Sequence, residues 1–131
     1  MTDKLILLDT TIIVDYLRGD SQTVLFFNNL QNTPVISLIT EAEIYQGARN
    51  AYEIKKWEKV ISNLKVLPIN SEISVLALNL VKSFHLSHSL HILDALIAAS
   101  AIENKYTLLT SNTKHFRMIK NLKLTHWPVG N

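Results

Sequence analysis

The sequence predicts an α/β domain built on a central, mostly parallel sheet of four to five strands flanked by helices. Two observations predict it. Short apolar runs alternate with longer segments of helical periodicity along the whole chain, the pattern that gives parallel strands with crossover helices. With 131 residues and 47% apolar side chains, the chain can also bury a substantial core as a single domain over 1–131.

The elements follow in order. "KLILL" (4–8) reads as a buried strand. "TTIIVDYLRG" (10–19) reads as a helix, with Asp9 or Thr10 as N-cap and Gly19 as stop signal. "SQTVLFFNNLQN" (21–32) is a second helix and "PVISLI" (34–39) a second strand. "TEAEIYQGARN" (40–50) opens with Thr40 and Glu43 in capping-box spacing. "YEIKKWEKVISNL" (52–64) is amphipathic, and "KVLPI" (65–69) is a third strand. "SEISVLALNLVKSFHL" (71–86) and "HILDALIAASA" (91–101), ending near Asn104, are further helices. "YTLLT" (106–110) is a fourth strand, and "LKLTHW" (122–127) fits a short fifth.

Composition excludes several classes. The chain has no cysteine, which removes disulfides and cysteine-based zinc sites and fits a reducing compartment. "MTDKLILLD" reaches Asp9 after four consecutive apolar residues, too few for a signal-peptide core or a membrane helix. A cytoplasmic protein with no membrane association is the expectation. The net charge of +2 says little, but its distribution says more. After Glu103 there is no acidic side chain, whereas Lys105, Lys114, Arg117, Lys120 and Lys123 follow. Such a segment suits phosphates, and equally suits a solvated basic face.

In parallel α/β sheets, ligands bind outside the carboxyl ends of the strands. Asp9 directly follows the first strand, Glu43 lies in the helix after the second, and Asn112 lies just past the fourth. All three are expected at one sheet edge. Asp94 joins them if "HSLH" (88–91) is a loop there. Taken singly, Asp9 reads as a helix cap, Glu43 as half of a capping box and Asn112 as a turn residue. Asp94 is harder to dismiss, because a carboxylate among apolar neighbours needs a partner. Three carboxylates at one edge repel one another, and a hard divalent ion such as Mg²⁺ or Mn²⁺ relieves that. Such an ion can also activate water against a phosphodiester.

The same residues carry a family likeness over almost the whole chain. "LLDTTIIVDYLRGD" (7–20), "SLITEAEIYQGA" (37–48) and "LDALIAASAIENKYTLLTSNTKHF" (93–116) resemble, in order and spacing, the motifs of PIN-domain nucleases of the VapC toxin type. The resemblance implies a PIN-like fold and a Mg²⁺- or Mn²⁺-dependent endoribonuclease. It implies Asp9, Glu43 and Asp94 as the metal-holding acids, with hydrolysis leaving a 5′-phosphate. It further implies a homodimer, a small antitoxin partner, and structured RNA of the tRNA or rRNA class as substrate. Many relatives carry a fourth acid after the fourth strand. Here Asn112 stands there, and His115 occupies the place of an acid in a common "KDF". Asn112 can offer a neutral oxygen or hold a metal-bound water. Thr110 and Ser111 can hydrogen-bond a carboxylate or a phosphate, and Arg18, Lys114 and Arg117 are candidate contacts to an RNA backbone.

Three other readings compete. His85, His88 and His91 form H-x-x-H-x-x-H, a spacing that could bind zinc, although residues three apart drift around a helix. A PIN-like module that binds RNA or a partner without cleaving is favoured by the missing fourth acid. A phosphoacceptor receiver domain would need an adjacent acidic pair near the first strand and a lysine after a late strand, and the chain lacks both. Tyr45, Tyr52, Trp57 and Ile61 fit either a dimer or antitoxin surface or simple core packing.

Overall fold

The computed structural model describes residues 5–128. Five strands alternate with helices as expected: β1 (Ile6–Leu8), α1 (Thr10–Leu17), α2 (Ser21–Asn28), β2 (Val35–Ser37), α3 (Leu38–Gln46), α4 (Ala51–Ile61), β3 (Lys65–Leu67), α5 (Ser71–His88), α6 (Ile92–Asn104), β4 (Thr107–Thr110) and β5 (Leu124–His126). A short 3-10 helix at Thr113–His115 follows β4. All the strand pairings are parallel, in the order β3-β2-β1-β4-β5.

Side-chain alternation divides the core between the two faces of the sheet. Leu7, Val35, Leu67 and Leu108 face α5 and α6, where they meet Ile73, Ala77, Ala98 and Ala101. Leu8, Ile36 and Leu109 face the other way, onto Ile12, Ile13, Ile44 and Ile61 of α1, α3 and α4. Because both faces are covered, the central strands β1, β2 and β4 carry apolar residues on both sides. In α6, Ala95, Ala98, Ala99, Ser100 and Ala101 are all fully buried, so small side chains line its contact with the sheet and α5.

Local chemistry sets the helix ends. Asp9 accepts the N–H of Thr10 at 2.8 Å and caps α1. Gly19, at φ +79°, makes the turn after α1 that a side chain would strain. The Thr40–Glu43 capping box expected at the start of the third helix is not formed. Ser37, at the end of β2, accepts the N–H of Ile39 and starts α3 two residues earlier. Thr40 is therefore inside the helix, and both members of the supposed box turn their side chains to Thr10 instead. No helix among the described residues is long and apolar enough to cross a membrane.

Candidate active site

The strand order reverses direction between β1 and β4, and in open parallel sheets that reversal opens a crevice at the carboxyl edge. Here the register pairs Leu8 with Leu109, and Asp9 N–H donates to the Leu109 carbonyl at 3.0 Å. Asp9 and Thr110 thus leave their strands side by side. The Thr110 hydroxyl donates to Asp9 Oδ2 at 2.6 Å, and the Asn112 backbone N–H donates to Thr110 Oγ1 at 2.9 Å. Asp9 and Thr110 are both buried, so this chain of bonds holds the carboxylate in one orientation.

Glu43 is held by a second set of hydroxyls. Thr10 Oγ1 donates to Glu43 Oε1 at 2.6 Å and lies 2.9 Å from Thr40 Oγ1. A hydroxyl has one hydrogen, and that of Thr10 goes to Glu43, so Thr40 is the donor in the second contact. One threonine on α1 and one on α3 therefore place an acid of α3 beside the start of α1.

Asp94 lies in the first turn of α6, and its side chain is 31% exposed. The loop expected at 88–91 is present in essence. His88 ends α5, Ser89 takes a left-handed conformation (φ +58°), and His91 caps α6 through its backbone. Burial on every side does not extend to this end of the helix, because Ile92 and Leu93 are 47% and 43% exposed. Even so, burial pushes the Asp94 carboxyl above the ordinary carboxylate range, and the charge of Asp9 and, more weakly, of Glu43 push it the same way. His115 and His91 act against this. The three acids thus come together at one edge, from the end of β1, the middle of α3 and the first turn of α6.

The remaining candidates divide. Ser111 is exposed and lies 3.3 Å from the hydroxyl of Thr11 across the crevice. Asn112, Lys114 and Arg117 are exposed on the segment after β4. Thr110 is committed to Asp9. Arg18 is not at this edge. It ends α1 and lines a separate groove with Arg49, Tyr52, Lys56 and Trp57. The aromatic surface set also divides: Ile61 is buried and Tyr45 and Trp57 are partly buried, whereas Tyr52 is 74% exposed.

The three histidines do not form a zinc site. The His85 and His91 rings approach to 6.4 Å, but His88 packs edge-on against Phe84 and bonds to Ser87. Among the described residues, no three His, Cys, Asp or Glu side chains stand as a ready-made metal cage. Around Asp9 and Glu43 the donors are carboxylate and hydroxyl oxygens, a hard set, and the ionised form of Asp94 beside them is disfavoured. A hard cation completed by water suits that chemistry. Thr10, Thr11 and Thr40 join the site only in the folded chain; in the sequence, the adjacency of Thr10 to the strand-end acid Asp9 is the one signal that points to any of them.

Fold and site together define a small parallel α/β protein with a half-buried acidic crevice at its topological switch point. The chain matches the PIN domain family over residues 6–121. It is 31% identical over 121 residues to Ribonuclease VapC19 of Mycobacterium tuberculosis, spanning 89% of this chain and 96% of that protein. Its fold superposes on a toxin–antitoxin complex from Klebsiella pneumoniae with TM-score 0.76 at 26% identity, over 89% of this chain and 94% of the other. VapBC-1 from nontypeable Haemophilus influenzae gives TM-score 0.75 at 27% identity, over 93% and 97%. The chain belongs to the PIN-domain family and, within it, to the VapC type.

Proposed function

We propose that this chain is the toxin of a VapBC-type toxin–antitoxin pair, a Mg²⁺- or Mn²⁺-dependent endoribonuclease acting in the cytoplasm on structured RNA. In this reading residues 1–131 form one PIN-like unit, which pairs with a second copy and is inhibited by a small antitoxin. The names of its relatives support the activity and the partner. The observation that carries the reading is the meeting of Asp9, Glu43 and Asp94 at one edge, where burial and mutual charge bear on Asp94.

Asp9, Glu43 and Asp94 are the residues that would hold the cation, partly through water. When bound, a divalent cation supplies positive charge to a phosphodiester and makes a water nucleophilic. The protein's own part is orientation. Thr110 fixes Asp9 and Thr10 fixes Glu43, so both carboxylates would be held ready for the ion. Ser111 and Asn112 rim the crevice and can bond the phosphate or its water. Lys114 and Arg117 add positive charge for the RNA backbone beside it.

The test is cleavage of total RNA by the wild type, Asp9→Asn and Asp94→Asn, with Mg²⁺, with Mn²⁺ and with a chelator. Metal-dependent cuts leaving 5′-phosphates are expected from the wild type alone. Cleavage that persists in the chelator, or full activity of Asp94→Asn, overturns the reading.

A further inference from the structure

A cleft of about 160 Å³ opens against Asp94, walled by His88, Leu90, His91 and His115. His115 Nδ1 lies 3.9 Å from Asp94 Oδ2. That is too long for a hydrogen bond, which for N–H···O reaches roughly 3.2 Å. It is near the spacing of two ligands on one ion, because donors each ~2.1 Å from a cation lie roughly 3–3.5 Å apart at neighbouring positions. The His115 side chain is 60% exposed. Its backbone is meanwhile fixed by the N–H bond to the Asn112 carbonyl at 3.0 Å and by the buried Phe116 that follows. The ring of His91 is turned toward His85 instead.

We propose that His115 is a nitrogen ligand of the divalent ion held at Asp94, and that it shifts the centre's preference from Mg²⁺ toward Mn²⁺, Co²⁺ and other first-row transition-metal ions. The proposal rests on the acidic edge being a metal centre. An aspartate at this position would add a fourth hard oxygen and a negative charge. Imidazole adds neither, and it binds transition metals far better than it binds Mg²⁺. The competing use of the same contact is a simple ion pair between imidazolium and carboxylate. Exposed pairs of that kind contribute little, and this one would close the edge of Asp94 to a metal.

The experiment loads the full-length protein with Mn²⁺ and reads nitrogen hyperfine coupling by pulsed electron paramagnetic resonance. It compares the wild type with His115→Asp and His91→Gln. Calorimetry of Co²⁺ and Mg²⁺ binding accompanies it, and circular dichroism checks that each variant folds. Nitrogen coupling is expected in the wild type and in His91→Gln and is expected to vanish in His115→Asp, where the Co²⁺-to-Mg²⁺ affinity ratio falls by about tenfold or more. Mn²⁺ bound without nitrogen coupling, or coupling that survives in His115→Asp, overturns the proposal and leaves the metal centre standing. Coupling lost in His91→Gln assigns the nitrogen to the wrong histidine and overturns it too. A wild type that binds no Mn²⁺ removes the metal centre and the proposal together.

Discussion

The Thr110 hydroxyl donates to Asp9 Oδ2 at 2.6 Å, tying the ends of two adjacent parallel strands whose residues are far apart in the chain. The same oxygen accepts the Asn112 N–H, so one hydroxyl orients both a catalytic candidate and the loop that rims it. Thr110→Val keeps the shape and removes both bonds. Leaving buried polar groups unpaired costs roughly 1–3 kcal/mol. We expect that loss in chemical denaturation, together with weaker Mn²⁺ binding, and near wild-type values for Thr110→Ser. A valine variant as stable as the wild type refutes the role given to this bond.

Asp94 links pH to stability in the metal-free protein. Its folded-state carboxyl is raised above the ordinary 3.8, chiefly by burial and then by Asp9. A raised carboxyl favours the folded state when protonated. Its contribution is complete below pH 3.8 and is lost as pH rises through the raised native value. Asp94→Asn should therefore flatten this part of the stability–pH curve while abolishing cleavage. Parallel curves for the two proteins in chelator would contradict the burial argument.

Metal binding should offset the same repulsion. A ligand present at about 100 times its dissociation constant stabilises the folded state by about 2.7 kcal/mol. Mn²⁺ should raise the melting temperature of the wild type and leave that of Asp94→Asn nearly unchanged. Chelator should reverse the effect. An equal rise in both proteins would place the ion elsewhere.

Tyr45 offers a control away from the crevice. Its hydroxyl donates to Glu41 Oε2 at 3.0 Å. Burial, the Glu41 bond and charge, and the charge of Glu58 push its ionisation up to about 12. An ultraviolet titration of the four tyrosines should show one that resists ionisation to that pH, and Tyr45→Phe should remove that step. If all four ionise near pH 10, their ordinary range, the environment assigned to Tyr45 is wrong.

Much of this arrangement is legible in the sequence because parallel sheets obey few rules. Short apolar runs between helical segments mark the strands, and the segments that leave their carboxyl ends share one edge. Asp9, Glu43 and Asn112 lie on those segments, one, six and two residues past β1, β2 and β4. Asp94 does not, because no strand leads into α6, and its place depends on a loop whose course is set by packing. The helix start at Leu38, two residues before the sequence pattern places it, has a different cause. Thr40 and Glu43 match a local capping pattern, but the tertiary contact with Thr10 claims both side chains, and Ser37 is left to cap. Arg18 is also a candidate RNA contact in the sequence. Helix α1 carries it away from the crevice to another groove. His115 stands out in sequence only as a replacement for an acid, and its approach to Asp94 is a property of the folded chain.

The central position of β1 also bears on synthesis. Its neighbour β2 follows within the first 37 residues, but its other neighbour, β4, begins only at Thr107. A nascent chain that already contains Asp9, Glu43 and Asp94 still lacks the hydroxyl that orients Asp9 and the strand against which the crevice forms. The acidic edge is therefore assembled only once β4 has joined the sheet, and until then the growing chain carries its acids unarmed.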